Sequence, residues 1–278
     1  MSVQVLERAA HVTPFGVRLV DVVTGRQVSE DLSLRIVPLP RGRVTTAIRT
    51  SSGAFAAHGL PGLRRFELEE EVVAPQPFRI EVRDSSQRFH SFAVQAELPS
   101  DGLLSIPCGS PPLSPPDKTT RFLPLFSRPE RTAPPGTAVV RARLLYETDL
   151  APAAYAALEV VPRPGAAPVR GIADERGEVA VMFPYPQPAG FAGSPPSGTK
   201  QRLASSTWRV TVEAFMPGPA SPPEEGGLPD LCTFLDQSPA TLVTATSPPL
   251  ELAEATLEYG RELVLPSPSG PHELLVRP

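Results

Sequence analysis

The sequence contains no asparagine, and with it goes every N-linked glycosylation acceptor. It has only two cysteines, Cys108 and Cys232. One in each half of the chain is not a disulfide framework, so the expectation is two free thiols acting as small buried apolar residues. Histidine is scarce too: His11, His58, His90 and His272 show no i, i+4 pair and no cysteine neighbour at ligand spacing. No metal site and no cofactor is expected. A net charge of −4 from 26 basic and 30 acidic residues makes no strong field, and no basic run tracks a phosphate backbone, which argues against nucleic acid as a partner. No apolar stretch approaches the roughly 20 residues of a membrane span. Met1 to Thr13 carries Glu7 and Arg8 and no export-length apolar core, so the expectation is a cytoplasmic chain with no membrane partner. The Gly-x-Ser-x-Gly elbow, the Walker-type loop and the dinucleotide glycine pattern are all missing. No catalytic residue is assigned, and the chain reads as non-enzymatic.

What the sequence does have is proline, 37 residues in 278, far above the background of about 5%. Proline removes a backbone donor and clashes with the preceding helical turn, so long helices are excluded and turns, strand edges and linkers are favoured. Against that background, period-2 alternation of apolar and polar residues recurs, the signature of half-buried strands. It is clearest at Phe78 to Arg83, Val140 to Leu144, Val179 to Phe183 and Trp208 to Ala214. Further strands are expected within Phe15 to Val23, Leu32 to Val37, Arg43 to Arg49, Phe89 to Leu98 and Arg261 to Leu265. Ala153 to Glu159 leans to strand, and Leu250 to Glu258 is open between strand and helix. Glu67 to Glu71 reads as a strand whose glutamates at 67, 69 and 71 face water while Phe66, Leu68 and Val72 face inward.

The fold class that follows is all-β: two tandem Greek-key β-sandwich modules joined by a proline-rich linker. The expected organisation is an N-terminal sandwich over 1–108, a linker with an apolar docking segment over 109–135, and a C-terminal sandwich with long proline-rich loops over 136–278. The break is sharpest at Gly109 to Asp117 (GSPPLSPPD), too proline-dense for a ladder and suited to an extended spacer. Just after it, Phe122, Leu123, Leu125 and Phe126 are too apolar to stay free. They either seal the modules together or contact another chain. Phe191 and Trp208 are the other partner-contact candidates: Trp208 is the only tryptophan and opens a strand, as a core anchor or a stacking platform. The loops Pro184 to Ser206 and Pro217 to Pro229 are where partners would be sought. Asp174 sits before a glycine-ended turn, where a carboxylate accepts backbone N–H groups, and His90 reads as a hydrogen-bonded structural histidine.

A weak internal repeat is visible: strand, polar turn ending in Gly53 or Gly177 with the next strand, then the strongly alternating strand at Phe78 or Trp208. Within it, Pro168 to Val181, with Asp174 and Gly177 in place, resembles the middle hairpin of transthyretin-like or carboxypeptidase-regulatory-like domains. That resemblance implies a seven-stranded Greek-key sandwich acting as a scaffold or binding module. The Lys–Asn isopeptide crosslink of some related sandwiches is excluded, since asparagine is absent and the only lysines are Lys118 and Lys200. More loosely, PLFS, PPGTAVVRA, Phe183-Pro-Tyr-Pro and the closing Tyr259 to Leu265 resemble accessory proteins of phage-tail-like contractile injection systems. This implies a structural or adaptor subunit, a baseplate, cap or surface adaptor, with other protein subunits or a second copy of itself as partners. The competing expectation is a ligand- or carbohydrate-binding module using the loops around Phe191 and Trp208.

Overall fold

The computed structural model describes residues 12–40, 42–68, 72–100, 102–105, 108, 121–187, 206–218, 227–266 and 273–277. In chain order the elements of the first half are β1 (Phe15–Val17), β2 (Leu19–Asp21), β3 (Leu32–Pro38), β4 (Thr45–Thr46), β5 (Ile48–Arg49), β6 (Phe55–Ala57), α1 (Arg64–Glu67), β7 (Gln76–Asp84), β8 (Phe92–Leu98) and β9 (Leu123–Leu125). The second half contains β10 (Thr137–Tyr146), β11 (Ala157–Val161), β12 (Val169–Ile172), β13 (Glu178–Pro184), β14 (Thr207–Pro217), α2 (Leu231–Leu235), β15 (Gln237–Thr244), β16 (Glu254–Glu258), β17 (Leu263–Val264) and β18 (Glu273–Arg277). The protein is all-β; Ala153 to Glu159, which leaned to strand, leads into β11, and Leu250 to Glu258, left open, supplies β16.

Alternation explains the pairing. In β3 and β7, Leu34 lies opposite Val82 and Ile36 opposite Ile80, all buried, while Arg35 lies opposite Glu81 on the other face. There the Glu81 carboxylate is flanked by Arg35 at 3.4 Å and Arg83 at 3.5 Å. Opposite charges paired across strands supply the polar face that period-2 patterning requires.

Most pairings of the first half recur in the second. β1 runs antiparallel to β6 as β10 does to β13. β3 pairs with β4 and β7 as β11 pairs with β12 and β14. β7 pairs with β8 as β14 does with β15, and β2 runs parallel to β9 as β10 does to β17 and β18. The glycine turns of the sequence repeat fall at matching places, with φ of 78° at both Gly53 and Gly177. At Gly177 the requirement is double, since a Cβ there would also collide with the Leu144 carbonyl oxygen.

Two large apolar clusters result. One is built on Phe15, Leu34, Ile36, Phe78, Ile80 and Phe92; the other on Val140, Leu144, Val181, Phe183, Val212 and Leu274. Leu123 and Leu125 belong to the first, because β9 pairs with β2 and so completes the first half from within the expected linker.

Two expectations are overturned. Glu67 does not face water from a strand. It ends the one-turn α1, is buried, and its carboxylate accepts from the Gly59 and Leu60 backbone N–H groups at 2.7 and 3.4 Å. Leu68 and Val72, expected to face inward, are exposed, and Glu69 and Glu71 lie outside the described residues. Parity along the chain says nothing once a turn needs a carboxylate. Nor are the cysteines free: Cys108 and Cys232 form a disulfide with Cα atoms 5.3 Å apart across 124 residues of sequence. They meet because the end of the first half is packed against α2, a proximity that sequence separation hides.

Candidate functional site

The joint between the halves gathers the disulfide, the buried His90 and an aromatic cluster around Phe234. It is built around α2, whose start is set by Asp230: this N-cap carboxylate accepts from the Cys232 N–H at 2.7 Å. The helix is anchored to the second half by polar contacts. Arg170 donates to the Phe234 and Leu235 carbonyls at 3.2 and 3.0 Å, and Gln237 Nε2 donates to the Thr233 and Tyr155 carbonyls, both at 2.7 Å. Its apolar face points the other way, so that Leu231, Phe234 and Leu235 are buried in the core of the first half. The Phe234 ring meets His90 at 5.7 Å, Phe92 at 6.5 Å and Phe126 at 6.0 Å edge-on, with Tyr155 of the second half 5.7 Å away. Centroid distances and tilts of this kind are the favourable ones for aromatic pairs.

His90 is buried against this ring, and its Nε2 lies 3.0 Å from the Ile172 carbonyl across the joint. A carbonyl only accepts, so Nε2 carries the proton of a neutral imidazole. Burial pushes the imidazole down to about 4, and the Arg128 charge pushes the same way against the Ile172 contact and the Glu175 and Asp174 carboxylates. The same burial, with Glu175 beside the ring, pushes the Tyr155 hydroxyl up to about 12. Neither group is poised for proton transfer near neutrality.

The buried carboxylates are likewise engaged in holding loops. Asp84 accepts from the backbone N–H groups of Ser86, Arg88 and Phe89 at 2.9, 2.7 and 2.9 Å. Asp174 takes the turn role expected of it, accepting from Arg176 N and Glu178 N, both at 2.9 Å. Asp21 binds Arg131 through two bonds of 3.0 and 2.7 Å, and the Arg131 guanidinium lies 4.6 Å from the Phe89 ring. Burial drives the Asp21 carboxyl up, but the bonds from Arg131, Thr24 and Val23 outweigh it and hold the group below the usual carboxylate range. Cys108, Cys232 and Asp236 bring potential ligand atoms within 4.8 Å of one another. With the sulfurs bonded to each other they offer no thiolate to a metal.

The partner-contact candidates separate cleanly. Leu123, Leu125 and Phe126 are buried inside this chain and Phe122 is half-buried, as sealing within the chain requires. Phe191 lies outside the described residues. Trp208 is half-buried against the second core and forms a small aromatic cluster with Tyr185 at 5.6 Å and Tyr259 at 6.4 Å. Tyr259 stands open to solvent, and the Tyr185 hydroxyl accepts from the Gly260 N–H at 2.9 Å. Sequence reading missed Phe234 and the wedge it forms. The signal was there in Pro229-Asp230-Leu231-Cys232, an N-cap residue leading into apolar positions.

Among the described residues no helix is long and apolar enough to cross a membrane. No family model matches the chain, and no curated protein matches it. Among solved structures it is similar to the Bacillus anthracis TIE protein, at 9% identity and a TM-score of 0.24 over 89% of this chain and 44% of that one. It is also similar to the C-terminal fragment of the pilus adhesin SpaC from Lactobacillus rhamnosus GG, at 14% identity and a TM-score of 0.22 over 94% and 95% of the two chains. The chain thus spans less than half the length of the first of these. TM-scores this low define no common topology.

Proposed function

We propose that this is a non-enzymatic structural or adaptor protein of a larger assembly. In this reading its halves are tandem transthyretin-like Greek-key sandwiches joined through the proline-rich segment after Cys108. The repeated strand pairing supports the tandem part, and the sequence resemblance to contractile-injection accessory proteins suggests a baseplate, cap or surface adaptor. The observation that carries the reading is Phe234. Its burial between the halves fuses two sandwiches into one body, so surfaces at opposite ends are held at a fixed spacing, as a bridging subunit requires. The buried carboxylates and His90 are committed to loops and joint, which leaves acid–base chemistry without an obvious agent. Light scattering after size exclusion, alone and with the products of neighbouring genes, tests the proposal. A stable complex or self-association is expected, and a strict monomer indifferent to every neighbour would overturn it.

A second reading, a carbohydrate-binding module, has one observation in its favour: the partly exposed cluster of Tyr185, Trp208 and Tyr259. Glycan-array binding that is lost in Tyr259→Ala would establish it at the expense of the adaptor reading.

A further inference from the structure

We propose that the Cys108–Cys232 bond is a redox modification site whose substrate class is a dithiol reductant, and that it latches the joint. The inference stands on the geometry of the joint and is independent of the adaptor reading.

Three features lead to it. First, the bond fastens Cys108, which directly precedes the proline-rich segment, to the second residue of α2. Second, α2 has five residues, far fewer than an isolated helix needs to persist in water. Its position therefore depends on what holds it. Toward the second half it is held by Arg170 and Gln237. Toward the first half the segment has the Ala93 N–H bond to the Pro229 carbonyl at 2.8 Å, the packing of Leu231, Phe234 and Leu235, and the disulfide. Opening the bond therefore loosens the first half from α2 and leaves α2 on the second half. Third, both cysteines are half-buried, so an attacking sulfur can approach, whereas Phe234 beside them is fully covered.

The chemistry balances without further reagents. One thiolate of the dithiol attacks a sulfur of the bond and expels the other as a thiol; the reductant's second sulfur then resolves the mixed disulfide. The protein gains two electrons and two protons, and the dithiol leaves as a disulfide. Uncoupled from the first half, Phe234 no longer covers His90, Phe92 and Phe126, and the spacing of the halves relaxes. The latch is shut where thiols are oxidised and opens where they are kept reduced.

Hydrogen exchange on the whole protein reads this directly. The wild type is measured oxidised, after complete reduction with dithiothreitol, and after reoxidation, with alkylation counting free thiols at each stage. Exchange at residues 89–93 and 228–236 should accelerate by roughly tenfold or more on reduction and return on reoxidation. Cys108→Ser should show the fast rates throughout and ignore the reductant. Three results would each overturn the proposal: unchanged protection after both thiols have been alkylated, alkylation of both cysteines in oxidised protein before any reductant, or protection in the reduced chain restored by added Zn²⁺.

Discussion

The core of the second half is made of residues between Ala138 and Val276 alone, whereas the core of the first half takes in Ala157, Ile172, Leu231, Phe234 and Leu235 from its neighbour. Many pairings are common to both, but β14–β16 and β15–β18 are added in the second half and join its strands into one nine-stranded sheet, whereas the first half has separate sheets of two, three and four strands. The difference lies in this, in strand length and in what fills the space the strands leave. The first half combines β3, β7 and β8, of seven to nine residues, with two- and three-residue strands such as β4, β5 and β6; the second has β10 with ten residues and β14 with eleven. Short strands cover less apolar surface, and α2 supplies the missing volume from the loop between β14 and β15. The dependence runs mainly one way: the second half supports the first, and in return Val23 and Ala133 cover Val139, Ala180 and Met182.

The largest test of that asymmetry is Phe234→Ala. Truncating a fully buried aromatic costs about 3–5 kcal/mol, and the loss should fall on the first half, read as lowered thermal stability of the signals from residues 15–126. Next comes Arg131→Met, which strands the buried Asp21 carboxylate; breaking such a pair costs about 3 kcal/mol or more. It too should weaken the first half, to which Asp21 and Phe89 belong, with denaturant melts as the measurement.

His90 gives a pH test of similar or slightly smaller size. Its imidazole protonates near 6.5 when unfolded and about 4 when folded, so between those values the unfolded chain binds more protons and stability falls as pH falls. The term is fully present above pH 6.5 and is lost by about pH 4, worth up to about 3 kcal/mol. Arg128, Asp174 and Glu175 share this environment, and His90→Leu should flatten the slope between pH 6.5 and 4 while leaving the remaining acid dependence. The smallest effect is expected of Asp174→Ala, which frees two backbone N–H groups in the second half and costs about 2 kcal/mol. It should lower the second half first, reversing the order expected of Phe234→Ala.

The all-β class was legible because alternation survives wherever both faces of a strand differ, as in Phe78 to Arg83 and Trp208 to Ala214. The turn at Asp174 and Gly177 was legible because its demands are local. Glu67 was misread because a carboxylate that caps backbone N–H groups looks, by parity, like one that faces water. The joint was hidden for another reason. Phe234, His90 and the cysteine pair act together only after two separate units have packed, and no periodicity records a contact across 124 residues. Asp230 announces a helix start but not where the helix inserts.

Trp208, the only tryptophan, lies in the second half and so provides the most direct test of one-way support. Thermal unfolding of Phe234→Ala should be followed in parallel by Trp208 fluorescence and by far-UV circular dichroism, which sees both halves. The account predicts that the two transitions separate, with part of the dichroism lost at lower temperature while Trp208 still reports a folded environment. Transitions that move down together and superimpose would contradict it.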